Sequence, residues 1–181
     1  IHHERRFPHH FDVFGKSDLP KFARDLPAGH YPCVKLRGPA AIIALSSAVP
    51  RPPFLSAGYV GRDQLEALEE VLAHSEVSQR TPVLLIHHPP LDARMRISRL
   101  RDGLVDAASL RKKLAGLRRG LVLFGHIHAR VHCTLPTATG ALDVVSASGA
   151  ALDHPRGAVR AGFNLYGLDA HGGIASIEAF M

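Results

Sequence analysis

The chain has 181 residues, of which 46% are hydrophobic and 21% charged, and a formal net charge of +6. That length supports one domain with a real core, and the composition is ordinary for a soluble globular protein. No run of 18 or more apolar residues suggests a membrane span, and two cysteines are too few for a disulfide framework.

Cys33 and Cys133 read as reduced thiols of a cytoplasmic protein. Residue 1 is Ile, and no charged-then-apolar leader follows it, so the chain reads as processed or truncated. Much of the positive excess falls between Arg94 and Arg119. A basic stretch attracts nucleic acid or phosphorylated substrates. Without Trp, and without aromatics among those cations, a stacking platform for nucleic acid is unsupported. The expected partner is a small phosphoester, with neither membrane nor nucleic acid, and homo-oligomerisation is left open.

Residues 1 to 32 are rich in Pro, His and Asp and read as irregular, with one short helical turn. Ala40 to Ala48 is an apolar run ending at Ser46-Ser47 and predicts a buried strand. Pro50 to Gly61 is a Pro- and Gly-rich loop. Asp63 to Ala73 predicts a helix, with Leu65, Leu68 and Leu72 on one face and Glu66, Glu69 and Glu70 on the other. Thr81 to His87 lacks alternation and predicts a strand buried on both faces. Leu91 to Leu104 reads as loop or broken helix. Asp106 is placed to cap a helix through Leu110 and Leu114, with Gly116 as its stop. Gly120 to Phe124 is the next buried strand.

Short strand-like segments follow at Arg130–Leu135, Leu142–Ser148, Gly162–Leu168 and Gly173–Phe180, with a hairpin signal at His171-Gly172-Gly173. A βαβ part followed by mostly antiparallel strands is the expected plan, in the α/β class.

Two histidine motifs close two of the buried strands: His87-His88-Pro89-Pro90 and Gly125-His126-Ile127-His128. The carboxyl edge of an open α/β sheet is where ligands bind. Residues i and i+2 of a strand share a face, and Gly125 would free the backbone to bring both His126 and His128 inward. His87 and His88 are adjacent and should point apart, so one of them is a ligand. Pro89-Pro90 stiffens the chain after them. Three neutral imidazoles and a water could make a mononuclear zinc site, or they could be part of a larger site whose carboxylates lie elsewhere.

Together these motifs resemble the calcineurin-like metallophosphoesterases, most closely the bacterial class III cyclic-nucleotide and glycerophosphodiester phosphodiesterases. The likeness runs from about Phe7 onward. It includes the helix at 63–73 and the tail Val144-Val145-Ser146-Ala147-Ser148 with Phe163-Asn164-Leu165-Tyr166. The resemblance implies a four-layer α/β/β/α sandwich and two divalent metal ions (Mn, Fe or Zn). It also implies hydrolysis of a phosphoester, chiefly a phosphodiester, by a metal-bound hydroxide. It makes His87, His126 and His128 metal ligands, with His87 and His126 sharing one ion and His128 reaching the other. His88 matches no ligand position and is expected to serve catalysis from behind the ligands or facing substrate. Substrate-binding residues are not assigned.

The family's Asp-x-His, Gly-Asp and Gly-Asn-His motifs are absent in order, and the sole asparagine, Asn164, lies between Phe163 and Leu165. Asp169-Ala170-His171 spells the first of them but reads as hairpin chemistry. His2, His3, His9 and His10 could form another cluster, although a loop is the simpler reading. Residues 1–181 are therefore expected to be the C-terminal portion of one metallophosphoesterase domain. Its first strands would be missing, it would be inactive alone, and the strands at 40–48, 81–87 and 120–124 would be left short of partners. Alternatives are a non-catalytic scaffold of the same fold and a mononuclear three-histidine zinc protein.

Overall fold

The computed structural model describes residues 31–91, 101–149 and 160–180. The expected turn in the opening stretch, the His2, His3, His9 and His10 group, and Arg94, Arg96 and Arg99 lie outside the described residues.

Eight strands and three helices follow one another along the described chain. They are β1 (Cys33–Arg37), β2 (Ala40–Ala44), α1 (Arg62–Ala73), α2 (Ser75–Ser78), β3 (Thr81–Ile86), α3 (Ala107–Leu114), β4 (Leu121–Phe124), β5 (Val131–Pro136), β6 (Ala141–Ser146), β7 (Phe163–Leu168) and β8 (Ile174–Phe180). Six strands form one mixed sheet in the order β1-β2-β3-β4-β6-β5, and β7 and β8 form a separate two-stranded sheet. The strands β2, β3, β4 and β6 run parallel, while β1 and β5 are antiparallel edges.

The pleat sorts the apolar residues onto two faces. Ala41, Ile43, Leu84, Ile86, Val122, Phe124, Leu142 and Val144 meet Leu65, Leu68 and Val71 of α1 and Ala107, Leu110 and Leu114 of α3. The opposite face presents Ala40, Ile42, Val83, Leu85, Leu121 and Leu123 to Tyr166, Leu168, Ile174 and Ile177 of the β7–β8 hairpin. The central strands are thus covered on both sides, which explains their apolar runs without alternation. The described residues stack as helices, mixed sheet and hairpin. No helix among them is long and apolar enough to cross a membrane.

Several expectations change. Each of β2, β3 and β4 has a neighbour on both sides, so none is short of a partner. The mostly antiparallel tail is seen in the β5–β6 and β7–β8 pairs, but β6 also enters the main sheet beside β4, in parallel. The Asp106 side chain does not cap α3. It reaches back instead, and its carboxylate accepts from the Val60 and Gly61 amides at 2.9–3.2 Å. The helix α3 ends at Leu114 with Ala115 as its C-cap, so it stops directly before Gly116 as expected, although Gly116 does not adopt a positive φ. The hairpin turn forms as expected: Asp169 Oδ1 accepts from the His171 and Gly173 amides at 2.8 Å. These two bonds, Gly173 first, hold the Asp169 carboxyl below its usual range. Cys33 and Cys133 lie on β1 and β5, the opposite edges of the sheet, and are not joined.

Candidate metal centre

Register brings the two histidine motifs level. Ile86 of β3 pairs with Phe124 of β4, and the Gly125 amide donates to the His87 carbonyl at 3.0 Å, which carries the ladder one step beyond the strands. His87 therefore stands beside Gly125, with His126 next. Ala44 of β2 pairs with Leu85. Three residues further on, Ser47 reaches His88.

Of six buried polar residues among those described, Ser47, His88, Ser146 and Ser148 lie at or just past the carboxyl ends of β2, β3 and β6. Buried polar groups persist where they are hydrogen-bonded, and such a concentration at one edge marks it off from the rest of the sheet.

The chain turns sharply at this edge. The Ile127 amide donates to the Gly125 carbonyl at 2.8 Å, closing a three-residue turn centred on His126, whose φ is 69°. This is the rare, strained form of the γ-turn. His128 also has a positive φ, of 50°, whereas Gly125 does not. The bend expected of the glycine is thus borne by the two histidines. Left-handed conformations in residues other than glycine concentrate at functional sites. Ser146 Oγ fixes the far side of the loop by donating to the Ala129 carbonyl at 2.6 Å. On the other motif, Arg111 of α3 donates to the Pro90 carbonyl at 2.7 Å and holds the His-His-Pro-Pro turn against the helix.

The rings of His87, His88 and His126 converge, each offering a nitrogen within 4.8 Å of the others. His126 Nδ1 and His87 Nε2 are 3.2 Å apart. Two nitrogens sharing a tetrahedral ion at bond lengths of about 2.0–2.1 Å would be separated by about 3.3 Å, so this pair fits a common metal. Among the described residues the group is all imidazole, and no carboxylate joins it. His128 is exposed and outside the trio, though near enough for its charge to act on His87.

His88 is held differently. Its Nε2 faces the Ser56 carbonyl at 2.7 Å and must donate to it, leaving Nδ1 to accept from Ser47 Oγ at 2.8 Å. The Ser47 oxygen in turn accepts from the His88 amide at 3.3 Å. With both ring nitrogens engaged, His88 would have to surrender a hydrogen bond to bind an ion. Burial is the main reason its pKa falls to about 4, against the Ser56 carbonyl, which favours a proton. The charges of His126, His87 and Arg51 add to the lowering. His87 is lowered too, first by partial desolvation of its ring and then by His126 and His128. Both shifts keep the rings neutral near pH 7, the form that binds metal.

Sequence reading missed Ser47, Ser56 and Gly58. The polar break Ser46-Ser47 after an apolar run was a visible signal for the first of these, while the other two are brought in by the loop at 50–61. A Cβ at Gly58 would lie 2.2 Å from His88 Nδ1, so only glycine allows the loop this close to the ring. No protein-family model matches the chain, and no curated protein matches it either.

Proposed function

We propose that this chain serves metal-dependent hydrolysis of a phosphodiester, with His87 and His126 as ligands of one divalent ion and His128 assigned to a second. The observation that carries this reading is the pair of imidazole nitrogens 3.2 Å apart at the carboxyl edge of two parallel strands, one of them on a strained turn. The stack of helices, mixed sheet and hairpin supports the calcineurin-like four-layer sandwich as the fold. Divalent cations held there would lower the pKa of a bound water and neutralise charge developing on the phosphate oxygens. The protein's own part is to present neutral imidazoles at fixed height and to hold His88 behind them through Ser47 and Ser56.

Hydrolysis of bis(4-nitrophenyl) phosphate by the intact protein, supplied with Mn, Zn or Fe(II), tests this reading. Turnover should vanish with chelator and fall at least 100-fold in His126→Ala. No turnover with any of the three metals, or turnover indifferent to His126→Ala, would overturn it. The all-imidazole donor set favours one further reading, a mononuclear three-histidine zinc site with His88 as third ligand. In that case metal content saturates at one zinc per chain and His128→Ala leaves it unchanged.

A further inference from the structure

The large apolar side chains exposed among the described residues fall into two groups: Phe163, Leu165 and Phe180 on the hairpin, and Phe54, Leu55 and Tyr59 in the loop beside His88. The second group is built unusually. The Leu55 amide donates to the Pro52 carbonyl at 3.2 Å, closing a turn with Pro53 and Phe54 at its centre. Phe54 has a φ of 69° and is 94% exposed. Turns with a positive φ at the third residue take glycine or asparagine there. A phenylalanine at this position meets two unfavourable conditions at once, a left-handed backbone and a ring left in water.

The base of the loop is firmly tied. The Ser56 carbonyl accepts from His88 Nε2, and the Ser56 amide donates to the Arg101 carbonyl at 2.8 Å. Ser56 Oγ donates to Asp102 at 3.0 Å. The Gly58 amide donates to the Gly103 carbonyl, and the Val105 amide to the Gly58 carbonyl, both at 2.9 Å. Arg51 Nε donates to the Ala57 carbonyl at 2.9 Å, one residue beyond the Ser56 carbonyl that holds His88. The loop therefore fixes an apolar crest and a cation next to the histidine cluster.

We propose that the Phe54–Leu55 crest recognises an apolar, preferentially aromatic, ester group of the substrate while Arg51 draws its phosphate toward the histidines. The ligand class is a phosphodiester bearing an aromatic or similarly apolar substituent, rather than a compact polar phosphate ester. This specificity role rests on the phosphodiester reading for the phosphate alone; the apolar preference belongs to the loop.

The probes are diphenyl phosphate and dimethyl phosphate, titrated calorimetrically into the full chain in the presence of Mn²⁺. Wild type should bind the diphenyl ester at least ten-fold more tightly. Phe54→Gly relieves the turn, so it should melt no lower than wild type, yet lose the preference to within two-fold. Leu55→Ser leaves the strained residue in place and should weaken the diphenyl ester at least three-fold. Arg51→Ala should weaken both esters alike. The proposal is overturned if wild type shows no preference, if Phe54→Gly retains it, or if Phe54→Gly dissolves an oligomer, which would assign the crest to a self-interface. Hydrolysis followed on the same samples separates the two readings. A preference without turnover would remove the catalytic one, and turnover without a preference would remove the crest.

Discussion

His126 occupies a conformation that glycine adopts without penalty, at a left-handed cost of about 1–2 kcal/mol for other residues. His126→Gly should therefore unfold in urea with about 1 kcal/mol more stability than His126→Ala, though both lose the imidazole. Equal stabilities would show that the turn holds no strain. His88 gives a prediction in pH. Its folded pKa of about 4 lies below the ordinary 6.5, so between these values the unfolded chain takes up a proton that the folded ring refuses. Stability from neutral His88 is complete above about pH 6.5 and is lost as pH falls through about 4, a change on the order of 3 kcal/mol. In chelator, His88→Gln should flatten the thermal-melt profile across this window; an unchanged slope would clear the ring of that role. The histidines themselves were legible as motifs, because two clusters each ended an apolar run. Their bonding was not, since Ser47 and His88 are 41 positions apart and meet only through strand register.

At the scale of elements, Asp106 joins the second βα crossover to the loop that carries Ser56 and Gly58. Its carboxylate satisfies the Val60 and Gly61 amides rather than the start of α3. Asp106→Ala should cost about 1–3 kcal/mol in denaturant unfolding, the loss expected when buried or half-buried donors go unpaired. If the cost stays within a few tenths of a kcal/mol, the tether is unimportant. Gly58→Ala should shift His88, because the new methyl would overlap its ring. The imidazole resonances of His88 in NMR spectra should move while those of His132, paired with Asp143 across β5 and β6, stay put. The helices α1 and α3 and the strands β2, β3 and β4 were readable because apolar spacing reports burial directly, whereas the four-residue α2 is too short to show any. The strand β1 went unread: Val34-Lys35-Leu36-Arg37 does alternate apolar and polar residues, but the run is only four residues long and follows a Pro-rich stretch that reads as irregular. So did the direction of β6, since strand direction depends on the connection and leaves no local mark.

For the molecule as a whole, the hairpin closes one face of the sheet but turns Phe163, Leu165 and Phe180 outward, with Phe163 stacked on Phe180 at 5.1 Å. Exposed apolar patches of this kind promote association. Leu165→Lys should raise the concentration at which the protein aggregates, seen by light scattering, and change unfolding free energy by less than about 1 kcal/mol; a larger loss would mean the face is packed in the native state. Several cations of the basic stretch that ends at Arg119 are engaged locally: Arg111 on Pro90, Lys113 on Glu69 and Arg119 on His171. Residues, elements and hairpin all converge on the carboxyl edge of the sheet, where we propose that metal binds. Metal content per chain, determined by mass spectrometry after loading with Zn²⁺ or Mn²⁺ and desalting, tests it most directly. Coordination by His87 and His126 predicts at least one ion per chain, retained in His132→Ala and lost in both His87→Ala and His126→Ala. Wild-type protein that retains no ion, or a His126→Ala variant that retains as much as wild type, would contradict it.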